Sequence, residues 1–255
     1  MCAMREVISV VGDAFGAGLL EQRRALGRLA VPEIVERDDG FVDASLSFAR
    51  YFEEFDKWET YEQKAVEGIG GRILDVGAGA GRVAIHLQRA GNDVVALDTS
   101  AGAVRVCRNR GVKSTFCGDV AAYESMQPEP FDVFVLFGHN LGLLGGREAS
   151  KRFLHSLYKL SRPNSVLIAT GLDSQVWFRP DDVSYRERNI STERLPGQMR
   201  MRVRHRALAT PWFDYLLTSP SELSELLVGT HWEINEVDDS HGASFAVRLS
   251  LAKDV

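Results

Sequence analysis

The nine residues Ile73-Leu74-Asp75-Val76-Gly77-Ala78-Gly79-Ala80-Gly81 decide how the rest of the chain is read. Arg72 to Val76 is a short, mostly apolar run, suited to a parallel strand covered on both faces. The three glycines that follow within five residues let the backbone turn sharply and let a ligand approach the main chain. Arg82 to Ala90 then has helical composition, and Gly91 supplies a stop. A glycine turn that empties onto a helix N-terminus is the usual seat of a nucleotide-like ligand.

The spacing of the glycines separates the ligand classes. A dinucleotide fingerprint needs its third glycine at position 82, which is Arg82. Here the third glycine comes at 81, and an acid, Asp75, precedes the set. This pattern resembles the first motif of the class I S-adenosylmethionine-dependent methyltransferases, a Rossmann-like family whose loop passes the methionine and ribose parts of the cofactor.

Residues downstream extend the resemblance. Asn92 to Leu97 reads as a second buried strand ending in Asp98, where a carboxylate about 20 residues past the glycines can accept both ribose hydroxyls. Asp98-Thr99-Ser100-Ala101-Gly102-Ala103-Val104 looks like the family's D-x-S-x-x-A-V entry into the next helix. A third strand, Ser114 to Cys117, ends in Gly118-Asp119-Val120. The resemblance implies that Asp119 bonds the adenine amino group with Val120 beside the ring. A fourth strand, Asp132 to Phe137, ends in Gly138-His139-Asn140. The implied cofactor is S-adenosyl-L-methionine, with S-adenosyl-L-homocysteine as product. Its implied contacts are Asp75, Gly77, Ala78, Gly79, Gly81, Asp98, Thr99, Asp119, Val120, Phe137, Gly138 and Asn140.

From residue 73 to 172 strands alternate with helices, which predicts a parallel sheet with right-handed crossovers. Trp232 to Val237 and Ser244 to Leu251 read as a closing hairpin that matches the family's antiparallel last strand. The fold expected is α/β: a Rossmann-like, seven-stranded, mostly parallel sheet. Residues 1–68 are expected to form an N-terminal helical lid, and 69–255 the methyltransferase domain with a substrate-facing β insertion at 173–219. In that insertion Met199, Met201 and Val203 alternate with Arg200, Arg202, Arg204 and Arg206, a strand signal, and Trp212 to Thr218 supplies an antiparallel partner.

Composition sets bounds on the rest. The 255 residues suffice for one large α/β domain, at 45% hydrophobic and 25% charged. The net charge of −5 disfavours a broad nucleic-acid surface. No apolar run approaches the ~20 residues that cross a bilayer, and Met1-Cys2-Ala3-Met4 lacks a signal-peptide start, so a cytoplasmic monomer or homodimer without a membrane partner is expected. Three cysteines without C-x-x-C spacing point to neither a disulfide scaffold nor a zinc site, and no metal is expected.

Other residues bear on the methyl acceptor. The N-terminal segment is rich in aromatics, Tyr51 and Trp58 among them, which either wall a substrate pocket or pack the segment onto the sheet. In the insertion Trp177, Tyr185, Arg202 and Trp212 have the same two readings. Between Arg179 and Arg206 eight arginines face four acids. They fit a solvated face paired with local acids, a site for an anionic substrate, a nucleic-acid contact or an oligomer contact.

A sulfonium methyl donor is already activated, so the protein supplies proximity, alignment and in some cases a base. His139, just after the fourth strand, is the best-placed candidate for that base; a structural role in the methionine pocket is its alternative. The function expected is methyl transfer to an O, N, S or C nucleophile of a small molecule. The alternatives are an RNA or protein methyltransferase and a cofactor-binding protein without methyl transfer.

Overall fold

A computed structural model describes residues 10–25, 28–176 and 182–252. The chain opens with β1 (Val10–Val11), α1 (Ala14–Arg24) and a hairpin of β2 (Pro32–Arg37) and β3 (Val42–Ser47). After two short 3-10 turns, Phe48–Phe52 and Phe55–Lys57, come α2 (Thr60–Ala65), β4 (Arg72–Val76), α3 (Arg82–Arg89), β5 (Asp93–Asp98) and α4 (Ala101–Asn109). Then follow β6 (Ser114–Cys117), α5 (Val120–Glu124), β7 (Phe131–Leu136), a third 3-10 turn at Asn140–Leu144, α6 (Arg147–Lys159) and β8 (Ser161–Leu172). The last part holds α7 (Val183–Ser191), β9 (Gln198–His205), β10 (Leu208–Ala209), β11 (Phe213–Leu216), α8 (Pro220–Leu227), β12 (Trp232–His241) and β13 (Ser244–Leu251).

The main sheet has seven strands in the order β12-β13-β8-β7-β4-β5-β6. Strands β4 to β8 run parallel, and β13 runs antiparallel to both of its neighbours. Alternate side chains of the same strands feed two cores, one on each face. Leu74, Val95, Leu97, Phe134 and Leu136 pack under Leu154 and Leu157 of α6 and Leu223 of α8. Ile73, Val94, Ala96, Val133 and Val135 pack under Val83, Ala84 and Leu87 of α3. Burial on both faces is why these strands read as unbroken apolar runs. Ser219 caps α8 by accepting the Glu222 N–H while Glu222 accepts that of Ser219, a reciprocal capping box.

The N-terminal segment departs from the helical lid read from the sequence. It is helical in α1 and α2, but β1, β2 and β3 join β9, β10 and β11 in a second, six-stranded sheet. At its centre β9 pairs with β2 on one edge, Arg37 opposite Met201, and with β10 and β11 on the other, Phe213 opposite Met201. The insertion therefore forms the β9–β11 pair that its alternation predicts, but its other partner lies more than 160 residues earlier. Non-local pairing of this kind leaves no local signal, which is why the sequence shows only a short extended piece at Val31 to Val35 where β2 lies.

A small third core joins the two sheets. Leu19 of α1, Val31, Phe48, Ala103 and Val106 of α4 and Val203 of β9 are buried together. Asp13 fixes this junction: its carboxylate accepts from Gly16 N in α1 and from Ser100 Oγ and Gly102 N at the start of α4. Gly16 and Gly102 meet backbone to backbone, since a Cβ on Gly16 would fall 2.6 Å from the Gly102 Cα.

Candidate active site

Parallel strands all point one way, so the ends of β4, β5, β6 and β7 open at the same edge, where α/β sheets bind ligands. The second sheet covers that edge. Between them lies a cavity of about 1220 Å³, lined from the first sheet by Gly77, Asp98, Thr99, Asp119, Val120, Gly138, His139 and Asn140. Met199, Met201, Val203, Phe213 and Tyr215 of the second sheet form its roof. The volume exceeds the roughly 300–1,000 Å³ typical of a site for one small molecule.

The glycine loop is fitted to its neighbours by what glycine lacks. Gly77 and Gly79 have φ of +73° and +56°, which side-chain-bearing residues rarely adopt. A Cβ on Gly77 would lie 2.5 Å from Asn140 Nδ2, and one on Gly79 would lie 3.0 Å from the Tyr51 ring. Asn140 uses that amide to donate to the Val76 and Gly77 carbonyls at 3.1 and 2.9 Å, tying the end of β7 to the loop.

Asp98 sits at the tip of β5 and is 7% exposed. Its carboxylate accepts the Gly79 and Ser100 N–H groups, each at 2.8 Å, which leaves lone pairs on both oxygens. Burial outweighs those two bonds and raises its pKa to about 6. Asp119 ends the strand next to it and accepts the Ala122 N–H as N-cap of α5.

Other residues of the implied cofactor set stand behind the cavity wall. Asp75 is buried, accepts the Ala84 N–H of α3, and is pushed up to about 7 by burial. Gly81 packs on Val112 and Cys107. The Gly77 and Ala78 N–H groups both donate to the Leu97 carbonyl rather than outward. Phe137 is buried against Trp58. These residues shape the loop.

His139 lines the cavity and adopts a left-handed φ of +65°. Its N–H donates to Thr170 Oγ1, and its carbonyl accepts the Tyr215 hydroxyl at 2.6 Å. Its Nε2 lies 3.3 Å from Tyr61 Oη and 3.4 Å from Ser244 Oγ. Burial, with help from the nearby Arg50 and Arg82 charges, lowers its pKa to about 4, so the ring is neutral near pH 7.

The substrate candidates divide sharply. Tyr51 lines the cavity. Trp58 does not: it is 4% exposed, lies in the core beneath α3, and donates from Nε1 to the Glu53 carbonyl. Tyr185 is buried away from the cavity, its hydroxyl donating to Asp38 at 2.7 Å and its ring between Arg37 and Arg188. Arg202 and Trp212 stack on each other, the guanidinium 4.5 Å from the ring, and neither lines the cavity; Arg202 alternates with the roof-lining Met201 and Val203. These four readings are corrected by strand alternation and by burial, which claim the side chains for packing. Trp177 lies outside the described residues.

Five arginines of the insertion pair with acids. Arg188 meets Asp38, Arg194 meets Asp214, Arg202 and Arg204 share Glu36, and Arg206 meets Glu21. Most of these acids belong to the N-terminal segment, so the charges stitch the two halves of the second sheet together.

Residues 73–164 match a family model described as a methyltransferase domain. Over that stretch the chain is similar to the methyltransferase-domain family. The whole chain is similar in fold to several solved structures. One is a SAM-dependent methyltransferase from Bacteroides fragilis in complex with S-adenosyl-L-homocysteine: TM-score 0.78, 21% identity, covering 97% of this chain and 100% of that one. A SAM-dependent methyltransferase from Methanosarcina mazei matches at TM-score 0.55 and 16% identity over 76% and 98% of the two chains. The CcbJ methyltransferase from Streptomyces caelestis matches at 0.56 and 14% over 79% and 98%. No curated protein matches the sequence.

Three residues that line the cavity escaped the sequence reading. Glu33 of β2 is 5% exposed, yet lines the cavity. Arg50 lines it too and makes no ion pair among the described residues; Glu33, Tyr51, Glu62 and Tyr215 are its electrostatic neighbours. Tyr215 of β11 completes the group, its hydroxyl held above the usual range by burial. A glutamate alternating with Val35 in a strand was the one available signal.

Proposed function

We propose that this methyltransferase transfers the methyl group of S-adenosylmethionine to a small molecule held under the second sheet. The observation that carries the reading is the convergence of Asp98, Asp119 and Gly77 on a roofed cavity with room for two ligands. In this reading Asp98 accepts the ribose hydroxyls and Asp119 bonds the adenine end. The guanidinium of Arg50, which makes no ion pair among the described residues, offers a counter-charge to the methionine carboxylate. When bound, the cofactor supplies an activated methyl group.

The chain's own residues then position and exclude. The roof of Met199, Met201, Val203 and Phe213 keeps water from the reacting atoms and offers an apolar surface to the acceptor. Methionines adapt to irregular shapes, which suits an acceptor with an apolar or aromatic body. The roof also supports a small acceptor over a polymer: a strand of RNA or protein would have to displace it. The pairing of the insertion's arginines with Glu21, Glu36, Asp38 and Asp214 leaves those charges engaged within the chain.

Thermal unfolding with S-adenosylmethionine, S-adenosylhomocysteine and NADH added separately tests the cofactor. A ligand at a hundred times its dissociation constant adds about 2.7 kcal/mol, a rise of about 5–10 °C for a chain of this size. The expected result is a shift with the first two alone. A shift with NADH alone would overturn the reading.

A further inference from the structure

Glu33 stands out among the buried groups of this protein. It is a carboxylate 5% exposed on a strand whose alternate positions face an apolar cavity, where a Val or Leu would fit at no electrostatic cost. Its only hydrogen-bond donor among the described residues is the Tyr51 hydroxyl, at 3.0 and 3.1 Å from its two oxygens. No guanidinium or ammonium of the described residues lies within ion-pair distance. A carboxylate offers about four lone-pair directions, so most of its accepting capacity is unused and faces the cavity.

Its position relates it to the reacting atoms. The Tyr51 ring that reaches Glu33 packs on Gly79, the glycine whose N–H holds Asp98. Glu33 is therefore anchored one phenol ring away from the cofactor loop, on the same cavity as Gly77, Gly138 and Asn140. The charged and titratable groups that face it are Tyr51 and Arg50 from the 3-10 turn, Asp43 from β3 and Tyr215 from β11. Burial is the largest influence on its protonation and raises its pKa above the ordinary glutamate value. That strengthens it as a base.

We propose that Glu33 is the general base of the methyl transfer and that the acceptor presents to it an O–H or N–H group. This rests on the cofactor reading above. In the step, the acceptor's O or N forms a bond to the methyl carbon, and the methyl–sulfur bond breaks with its electron pair going to sulfur. The proton of the acceptor passes to a Glu33 oxygen and from there to solvent. Tyr51 keeps the carboxylate aimed at the cavity. His139 is less suited to this task, because its Nε2 is already flanked by the Tyr61 and Ser244 hydroxyls.

The test needs no identified acceptor. Sinefungin carries an amine-bearing carbon in place of the methylated sulfur, so its ammonium occupies the place of the transferred methyl group. Calorimetry with S-adenosylhomocysteine and sinefungin on the wild type, Glu33→Gln, His139→Gln and Tyr51→Phe reads the ratio of the two affinities. The expected result is a sinefungin preference of about tenfold that Glu33→Gln abolishes while S-adenosylhomocysteine binds within threefold of wild type. The preference should survive His139→Gln, and it should appear at a higher pH in Tyr51→Phe, where the carboxylate loses its donor. Tyr51→Phe also serves if Glu33→Gln fails to fold. An unchanged ratio in Glu33→Gln, an unmoved pH midpoint in Tyr51→Phe, or a ratio moved by His139→Gln alone overturns the proposal. Wild-type protein that binds neither compound overturns the cofactor reading itself.

Discussion

Asp98→Asn is the substitution whose consequences the structure defines best. The side chain keeps its shape, but one carboxylate oxygen becomes an amide nitrogen. Both oxygens now accept a backbone N–H at 2.8 Å, from Ser100 and from Gly79, and both have capacity left for a ribose hydroxyl. A hydrogen bond to a charged acceptor contributes about 1.5–3 kcal/mol. The amide retains one neutral acceptor, so the net loss on S-adenosylhomocysteine binding should be about 3 kcal/mol, or roughly 150-fold in dissociation constant. One backbone N–H loses its partner, which should lower the melting temperature by about 2–6 °C. Titration calorimetry at pH 7.5 reads the first effect and a melting curve the second. A further readout is pH. With its pKa raised to about 6 by burial, the wild-type carboxylate is ionised at pH 7.5 and becomes protonated between pH 7 and 5. Wild-type affinity should fall across that range, while the variant's stays flat. Unchanged affinity in a variant that melts like wild type would refute the assignment of Asp98 to the ribose.

Three further outcomes follow from the same geometry. Asp75 has a folded pKa raised to about 7, so its favourable contribution is full below pH 4 and is lost as pH climbs to 7. Urea unfolding at pH 5 and pH 7.5 should show Asp75→Asn gaining about 2–3 kcal/mol on the wild type across that interval; equal pH dependence of the two would contradict a buried, unpaired carboxyl. Gly77→Ala would force a Cβ to within 2.5 Å of the Asn140 amide at a φ of +73°, and should cost about 2–4 kcal/mol of stability as well as cofactor affinity. Tyr215→Phe strips the His139 carbonyl of its 2.6 Å donor; chemical denaturation should register a loss of about 1–2 kcal/mol, and no change would mean that water takes the hydroxyl's place.

The glycine-loop half of the candidate site was legible because its signals are local. Gly77 and Gly79 hold left-handed φ values that glycine alone adopts freely, and Asp98 and Asp119 stand at the ends of short apolar strands. Such positions are marked in the sequence by residue type and spacing. Met199, Met201 and Val203 announced a strand by strict alternation, and they do line the cavity. Trp58, Tyr185 and Trp212 kept two readings in the sequence, and packing is the one observed, because a large aromatic is equally at home in a core, in a pocket wall or under an arginine.

By itself, then, the sequence determined the sheet, the glycine loop and the strand-end acids, because parallel strands and tight turns impose their chemistry on consecutive residues. Tertiary structure alone decided what faces them. Pairing of β2 with β9 joins residues 34–37 to 201–204, and no propensity in either stretch specifies the other. That pairing roofs the cavity and turns Glu33, unremarkable in its own strand, into a buried carboxylate beside Tyr51 and the cofactor loop. A side chain's environment depends on which distant segments pack around it, and that is set by the burial energy of the whole fold rather than by its neighbours in the chain.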